Sequence, residues 1–352
     1  MMSQLLLNDK DVKPNLFPLT LTRSVADLRV GILTIREKWE RLLGKPALPT
    51  SELESGPGEA FIISANIIPS RSFIDSLIKS DGAYSDSPAW DTVRIIQYPW
   101  HIFMWNDWAI RQDYDLITKG KASAPIPSSV QTVNPENIFI EEGAALSHCI
   151  INAAGGPVYI GRNAGIMEGA LVRGPVAICE GAVVKMGTRI YGATTIGPYC
   201  TVGGEIKNSV LFGYSNKAHD GYLGDSVIGE WCNLGAGAST SNVKNSAAEV
   251  KAWSQALKEY IPVGLKCGII MGDYSRSAIN TSFNTGSVIG VCANVFGEGL
   301  TAGFIPSFTW GKGERYAFDK ALMHIDNWKK MKNSRLTEKE KRQLKLIFEQ
   351  SL

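Results

Sequence analysis

From Ile160 to Val202 an aliphatic residue returns at every sixth position: Ile160, Ile166, Val172, Ile178, Val184, Ile190, Ile196 and Val202. Three residues after each, the chain tends to place a corner former, as at Asn163, Gly169, Pro175, Gly181 and Gly187. Four after each comes a mostly small side chain, such as Ala164, Ala170, Ala182, Thr188, Thr194 or Cys200. A helix stripe needs apolar residues three and four apart, and a half-buried strand needs them two apart, so neither fits. A period of six is that of short strands turned by tight corners and stacked coil on coil, a parallel β-helix. Each strand sends one aliphatic inward, and each corner uses Gly or Asn where the backbone turns sharply.

The repeats begin near Ile138 and Ile140 and lose phase at His148 to Pro157, read as a loop. They fail again after Val202, where Asn208, Tyr214 and Asp220 fall in the expected inward slots. Phase returns, shifted by two, at Ile228 and Leu234. Local rules tend to break at functional sites, which directs attention to this second failure. Asn245 to Pro262 interrupts the coils, and the spacing of Val250, Trp253, Ala256 and Leu257 predicts a short helix in an extended loop. Coils resume over Ile269 to Val295.

The flanks follow other periods. Thr34 to Leu43 predicts a helix with Ile35, Trp39, Leu42 and Leu43 on one face, ended by Gly44-Lys45-Pro46. Phe61 to Ala65 predicts a short buried strand, Ser51 to Glu59 a polar loop, and Tyr98 to Ile117 an amphipathic helix containing a satisfied His101. Thr337-Glu338-Lys339-Glu340 is a capping box that opens a terminal helix with Leu344, Ile347 and Phe348 on one face. The chain divides into an α/β region at 1–120, a linker at 121–137, a β-helix at 138–311 and C-terminal helices at 312–352. A C-terminal helix is expected to cap the open end of the coils, where unpaired edges invite aggregation.

Composition narrows the function classes. A net charge of +2 and a pI of about 8.1 argue against nucleic acid and anionic membrane as partners. No apolar run approaches a membrane span, and the start has only a three-leucine run. Six cysteines without a CxxC pair read as reduced thiols of a cytoplasmic protein. Only His148 and His219 lie in the coils, too few for a three-histidine zinc site, so no metal is expected there.

The irregular stretch reads Lys207-Asn208-Ser209, then Asn216-Lys217-Ala218-His219-Asp220-Gly221-Tyr222-Leu223-Gly224-Asp225, followed by Asn233-Leu234-Gly235-Ala236-Gly237. These strings resemble the acetyltransferase domain of the bifunctional N-acetylglucosamine-1-phosphate uridyltransferase/glucosamine-1-phosphate acetyltransferase (GlmU-like) family, over most of residues 138–300. The resemblance implies a left-handed β-helix and a homotrimer with acyl-donor sites between the prisms. It puts the general base on His219, the sugar-phosphate cations on Arg189 and Lys207, and the sugar contacts on Tyr222 and Asn233. It puts coenzyme-A contacts on Ala236 and Asn242; the family's tyrosine after that asparagine is Val243 here.

The residue types suit that chemistry. Imidazole titrates near neutrality and can take a proton from an attacking amine. Arginine offers a fork to a phosphate and lysine a point charge. Gly235-Ala236-Gly237 offers exposed backbone N–H groups to an oxyanion.

The start of the chain has a second echo. Phe17-Pro18-Leu19-Thr20 with Arg23 and Lys38 resembles the opening of sugar-1-phosphate nucleotidyltransferases. In those proteins a glycine-rich loop precedes the motif, whereas Asn8 to Asn15 contains no glycine. The metal-binding aspartate of that family falls on Asn66. The region therefore reads as a shortened nucleotidyltransferase-like domain, with Arg23 and Lys38 as candidate nucleotide-binding cations and magnesium needed only if it is active.

The leading expectation is acetyl-CoA-dependent N-acetylation of an amino-sugar phosphate. The alternatives are uridylyl or thymidylyl transfer by the first domain, or a non-catalytic sugar-nucleotide sensor or assembly subunit.

Overall fold

The computed structural model describes residues 4–53, 60–79 and 93–351. Most of the expected Ser51 to Glu59 loop lies outside the described residues. The first unit is built on a three-stranded parallel sheet, with β1 (Gln4–Asn8) between β2 (Ala47–Pro49) and β3 (Ala60–Ser64). Helix α1 (Ile35–Leu43) begins where the sequence places it. Thr34 and Glu37 exchange side-chain-to-backbone hydrogen bonds, and Gly44 closes the helix at φ 67°. Trp39 is buried, and its indole N–H donates to the Ile67 carbonyl at 3.1 Å.

Helix α2 (Arg71–Lys79) follows β3. The helix expected over Tyr98 to Ile117 is present as two pieces, α3 (His101–Met104) and α4 (Asn106–Thr118), broken at Trp105. His101 accepts from the Gln97 N–H at 3.2 Å, the satisfied role expected of it.

The chain then winds into a three-faced parallel β-solenoid. Its first strand, Gln131–Val133, lies within the stretch expected as linker. The first face carries six strands, from Gln131–Val133 to Tyr222–Gly224. The second carries nine, from Ile138–Ile140 to Phe304–Ile305. The third starts at Ala145–Leu146 and continues through bridges at Asn216, Asn233 and Arg276. Coils stack residue on residue, with Ile160 opposite Ile178 and Ile178 opposite Ile196. The six-residue aliphatics, Ile160 to Val202, all face one buried interior.

Past Val202 the inward slots are not those that a strict six predicts. They fall on Ile206, Leu211, Lys217 and Leu223, then Ile228 and Leu234. The coil shortens, so Asn208 and Tyr214 become corners at φ 45° and 56°, and Asp220 becomes an exposed corner residue.

The second face is outwardly apolar. Val210, Val227, Ile270 and Val288 share a single core with Leu7, Ile35, Trp39 and Ile74 of the first unit. Lower on the same face, Phe139, Tyr159 and Ala177 pack with Ile32, Leu33 and Ile110. The interruption after Asn245 is not helical. It is an antiparallel hairpin of Val250–Ser254 and Glu259–Gly264, in which Val250, Ala252 and Ser254 alternate inward. Its Trp253 stacks on Phe304 at 5.3 Å. The period of two wins because alternate residues, Val250 and Ala252, join the core of the second face.

The C-terminal helices α5 (Phe318–Lys330) and α6 (Glu338–Gln350) lie along the flank rather than across the open end. Ala321, Ile325, Leu344 and Ile347 pack on Trp231, Tyr274, Cys292 and Phe308, the corner residues between the second and third faces. The capping box at Thr337 and Glu340 forms as expected. Tyr199, Tyr214 and Trp231 stack along this corner with ring centroids 5.1 and 4.3 Å apart. The exposed corner column gives the helices their seat. All six cysteines are free and buried, and no described helix is long and apolar enough to cross a membrane.

Candidate functional site

His219 lies at the corner where the third face turns into the first, between Asn216–Lys217 and Tyr222–Gly224. Two features of the sequence shape that corner. Gly204, one coil below, has φ 75°, and a Cβ there would stand 2.8 Å from the carbonyl oxygens of His219 and Gly221. Only glycine lets the two corners stack this closely. Lys217 points inward where its neighbours in the stack are Val202 and Leu234. Its ammonium donates to the carbonyls of His219, Asp220 (3.2 Å) and Gly203 (3.4 Å). Burial lowers its pKa to about 8.

The imidazole of His219 is exposed and opens on a cleft of about 560 Å³. Lys185, Met186, Gly203, Ala236, Gly237 and Ile279 line it with His219. Ala236 therefore stands in the same cleft as His219. Gly237, at φ 73°, takes the corresponding corner one coil above.

The first face continues from this corner. Arg189, Lys207 and Tyr222 project from successive coils of it. Arg189 is half exposed, and its Nε approaches Glu205 at 3.5 Å. Tyr191 donates its hydroxyl to the same Glu205, and the Lys207 ammonium lies 5.6 Å from the Tyr191 ring centre. An exposed pair at this distance contributes at most about 1 kcal/mol, so Arg189 is free to exchange Glu205 for another anion. Asn242 donates to the Tyr222 hydroxyl at 3.1 Å and to Asp225 at 2.5 Å. Asn208 donates to the other Asp225 oxygen at 2.6 Å. Burial, then the Asp225 charge, pushes the Tyr222 phenol up to about 12, so it stays a neutral donor.

The structure thus gathers Arg189, Lys207, Tyr222 and Asn242 on one face, with His219 and Ala236 at its edge. Asn233 is placed elsewhere, on the third face, in a ladder between Asn216 and Arg276. The Asn242 amide is already engaged by Tyr222 and Asp225. Glu205 and Lys217 escaped the sequence reading. Glu205 was visible as the outward partner of Lys207 across Ile206, and Lys217 as a charged residue in an inward slot once the shortened coil is counted.

In the first unit, Arg23 pairs with Glu230 at 2.9 Å and with Asp273, both on the solenoid. Lys38 pairs with Asp113 in a buried contact, where burial draws both partners toward their neutral forms. Asn66 donates its amide to the Ile96 carbonyl at 2.9 Å and accepts from Ser64 at 2.7 Å. A buried amide committed in this way does not fit a magnesium ligand.

A profile of the sugar nucleotidyl transferase family matches residues 5–82. The bifunctional protein GlmU of Methanocaldococcus jannaschii is 34% identical over 86 residues, 24% of this chain and 21% of that protein. The bifunctional protein GlmU of Rippkaea orientalis is 38% identical over 86 residues, 24% of this chain and 18% of that protein. The chain spans about a fifth of the length of the curated relatives it matches. A hexapeptide transferase family protein from Anaplasma phagocytophilum aligns with 63% of this chain and 88% of its own, at 17% identity and a TM-score of 0.18, too low to carry an argument. Sequence similarity to the GlmU proteins thus covers about a quarter of the chain, and the nucleotidyl transferase match lies ahead of the solenoid.

Proposed function

We propose that this GlmU-like chain is an acetyl-CoA-dependent N-acetyltransferase acting on an amino-sugar phosphate of the glucosamine 1-phosphate kind. The observation that carries the reading is the exposed His219 imidazole in a cleft shared with Ala236 and Gly237, at the edge of a face bearing Arg189, Lys207 and Tyr222. The two cations would hold the phosphate, and the neutral Tyr222 hydroxyl a sugar oxygen. Held there, the amine nitrogen attacks the thioester carbonyl while His219 accepts its proton. The C–N bond forms, the C–S bond breaks, and the proton on His219 passes to the departing thiolate. Backbone N–H groups of the Gly235-Ala236-Gly237 corner are suited to the oxyanion. No metal enters this scheme. A homotrimer, as the resemblance implies, would set a partner against the same cleft.

Incubating the chain with acetyl-CoA and a panel of amino-sugar phosphates, and following free thiol, tests the reading. We expect release with at least one member, reduced about 10²-fold or more in His219→Ala. No release with any member, or undiminished release by His219→Ala, would overturn it.

The family match over residues 5–82 favours a second reading, sugar nucleotidyl transfer in the first unit. The pairing of Arg23 with Glu230 and Asp273, and of Lys38 with Asp113, weighs against it. Pyrophosphate release from a nucleoside triphosphate and a sugar 1-phosphate, dependent on magnesium, would restore it.

A further inference from the structure

Among the described residues, the other buried cations have a carboxylate or carbonyl partner: Arg23 faces Asp273 and Glu230, Lys38 faces Asp113, Lys329 faces Glu340, and Lys217 donates to backbone carbonyls. Arg276 departs from that rule. It belongs to the strand Arg276–Ser277 on the third face, projecting outward between Asn233 and Asn294 in the coil ladder. It is only 8% exposed, and its Nε and one terminal nitrogen are buried with no hydrogen-bond partner. Among the described residues no carboxylate pairs with it. The groups whose charge it feels most are Cys292, Tyr316 and Cys232, all neutral near pH 7. The Trp328 ring covers its guanidinium at 5.3 Å, which eases the charge but satisfies no N–H.

The element packed over it adds more positive charge. Lys320, His324 and Trp328 are four apart on α5 and form one stripe facing this ladder. Lys320 lies 4.6 Å from the ring centre of Trp310, the next rung beyond Asn294. His324 shares a hydrogen bond with Tyr316 beside it. Burial lowers the His324 pKa, and repulsion from Arg276 and Lys320 lowers it further. Two cation-bearing surfaces facing each other, with buried donors unfilled, lack a counter-ion.

We propose that a phosphate-class anion binds between the third face and α5, against the open N–H groups of Arg276, with the Asn233 and Asn294 amides on the neighbouring rungs and His324 across from them. Guanidinium geometry suits a phosphate oxygen pair, and side-chain amides add neutral donors. This site is separate from the Arg189 and Lys207 face and does not depend on acetyl transfer. The same chemistry would accept the phosphate of a sugar phosphate or the ribose phosphate of a coenzyme-A-like donor.

The full chain is titrated in parallel with inorganic phosphate, glucosamine 1-phosphate and adenosine 3′,5′-bisphosphate. Thermal unfolding and tryptophan emission are followed, and the Trp328→Phe protein identifies the share of the emission change due to Trp328. We expect a saturable rise in unfolding temperature with at least one probe, and the tightest probe names the source. Arg276→Met should bind it at least tenfold more weakly than the unaltered chain. Arg276→Lys, which keeps the charge and loses the fork, should bind with intermediate affinity and serves if the methionine protein does not fold. No response to any probe, or equal affinity in the Arg276 variants and the unaltered chain, would overturn the proposal.

Discussion

Lys217 occupies a place in the solenoid interior that stacking gives to aliphatics, and it meets only carbonyl oxygens there. Its pKa falls from 10.5 to about 8 because burial penalises the charge. The unfolded chain therefore binds more protons than the folded one between about pH 8 and 10.5, so this group makes stability rise with pH across that window. The difference corresponds to on the order of 3 kcal/mol, a penalty in full force below pH 8 and absent above 10.5. Denaturant titrations from pH 7 to 11 should show this rise in the unaltered chain and not in Lys217→Met. The same substitution frees the carbonyls of the His219 corner, and thiol release should fall with it. Equal pH profiles for the two proteins would mean that folding leaves the Lys217 pKa at its unfolded value.

Among the elements, the corner column decides where the C-terminal helices go. Tyr214 and Trp231 stack almost face to face, and the Lys329 ammonium of α5 lies 4.6 Å from the Trp231 ring centre. Both residues hold a positive φ, 56° and 59°, a conformation that most bulky side chains avoid. The strain is accepted because the ring is buried between the column and α5. Trp231→Ala should cost about 3 kcal/mol. Amide exchange should quicken in α5 and α6 while the coils below Tyr199 keep their protection. Faster exchange spread evenly over the solenoid would mean that the helices brace every coil. The terminal helix and its capping box were legible in the sequence because both are local. Their docking was not, because αL aromatic corners carry no periodic mark beyond the repeat itself.

At the scale of the molecule, the first unit and the solenoid are two halves of one core. Val210, Val227, Ile270 and Val288 of the second face are buried in one core with residues of the first unit. A chain lacking residues 1–120 should therefore aggregate or oligomerise nonspecifically in light scattering; a soluble, well-folded truncation would show that the face tolerates water. The join is also electrostatic. Burial raises the Asp273 pKa, and the Arg23 guanidinium opposes that rise. Arg23→Met strands the carboxylate and should cost about 3–5 kcal/mol, whereas Arg23→Met with Asp273→Leu should cost less. Chemical denaturation of the single and double variants decides between a coupled pair and two independent contacts.

What the sequence alone determined was whatever depends on neighbours a few residues away. The six-residue period set the inward aliphatics, the glycine corners and the stacked coils, and the capping residues set α1 and α6. The local string around His219 was enough to mark a corner as chemically unusual. The tertiary structure decided what depends on stacking distance. It chose which slot Lys217 fills after the coil shortens, and it parted Asn233 from Tyr222 by one corner. It set Arg23 and Lys38 against buried carboxylates, and it left Arg276 under α5 without one. A repeat fixes the direction of each side chain within its own coil, but partners come from coils and helices tens to hundreds of residues distant, where spacing along the chain carries no information about contact.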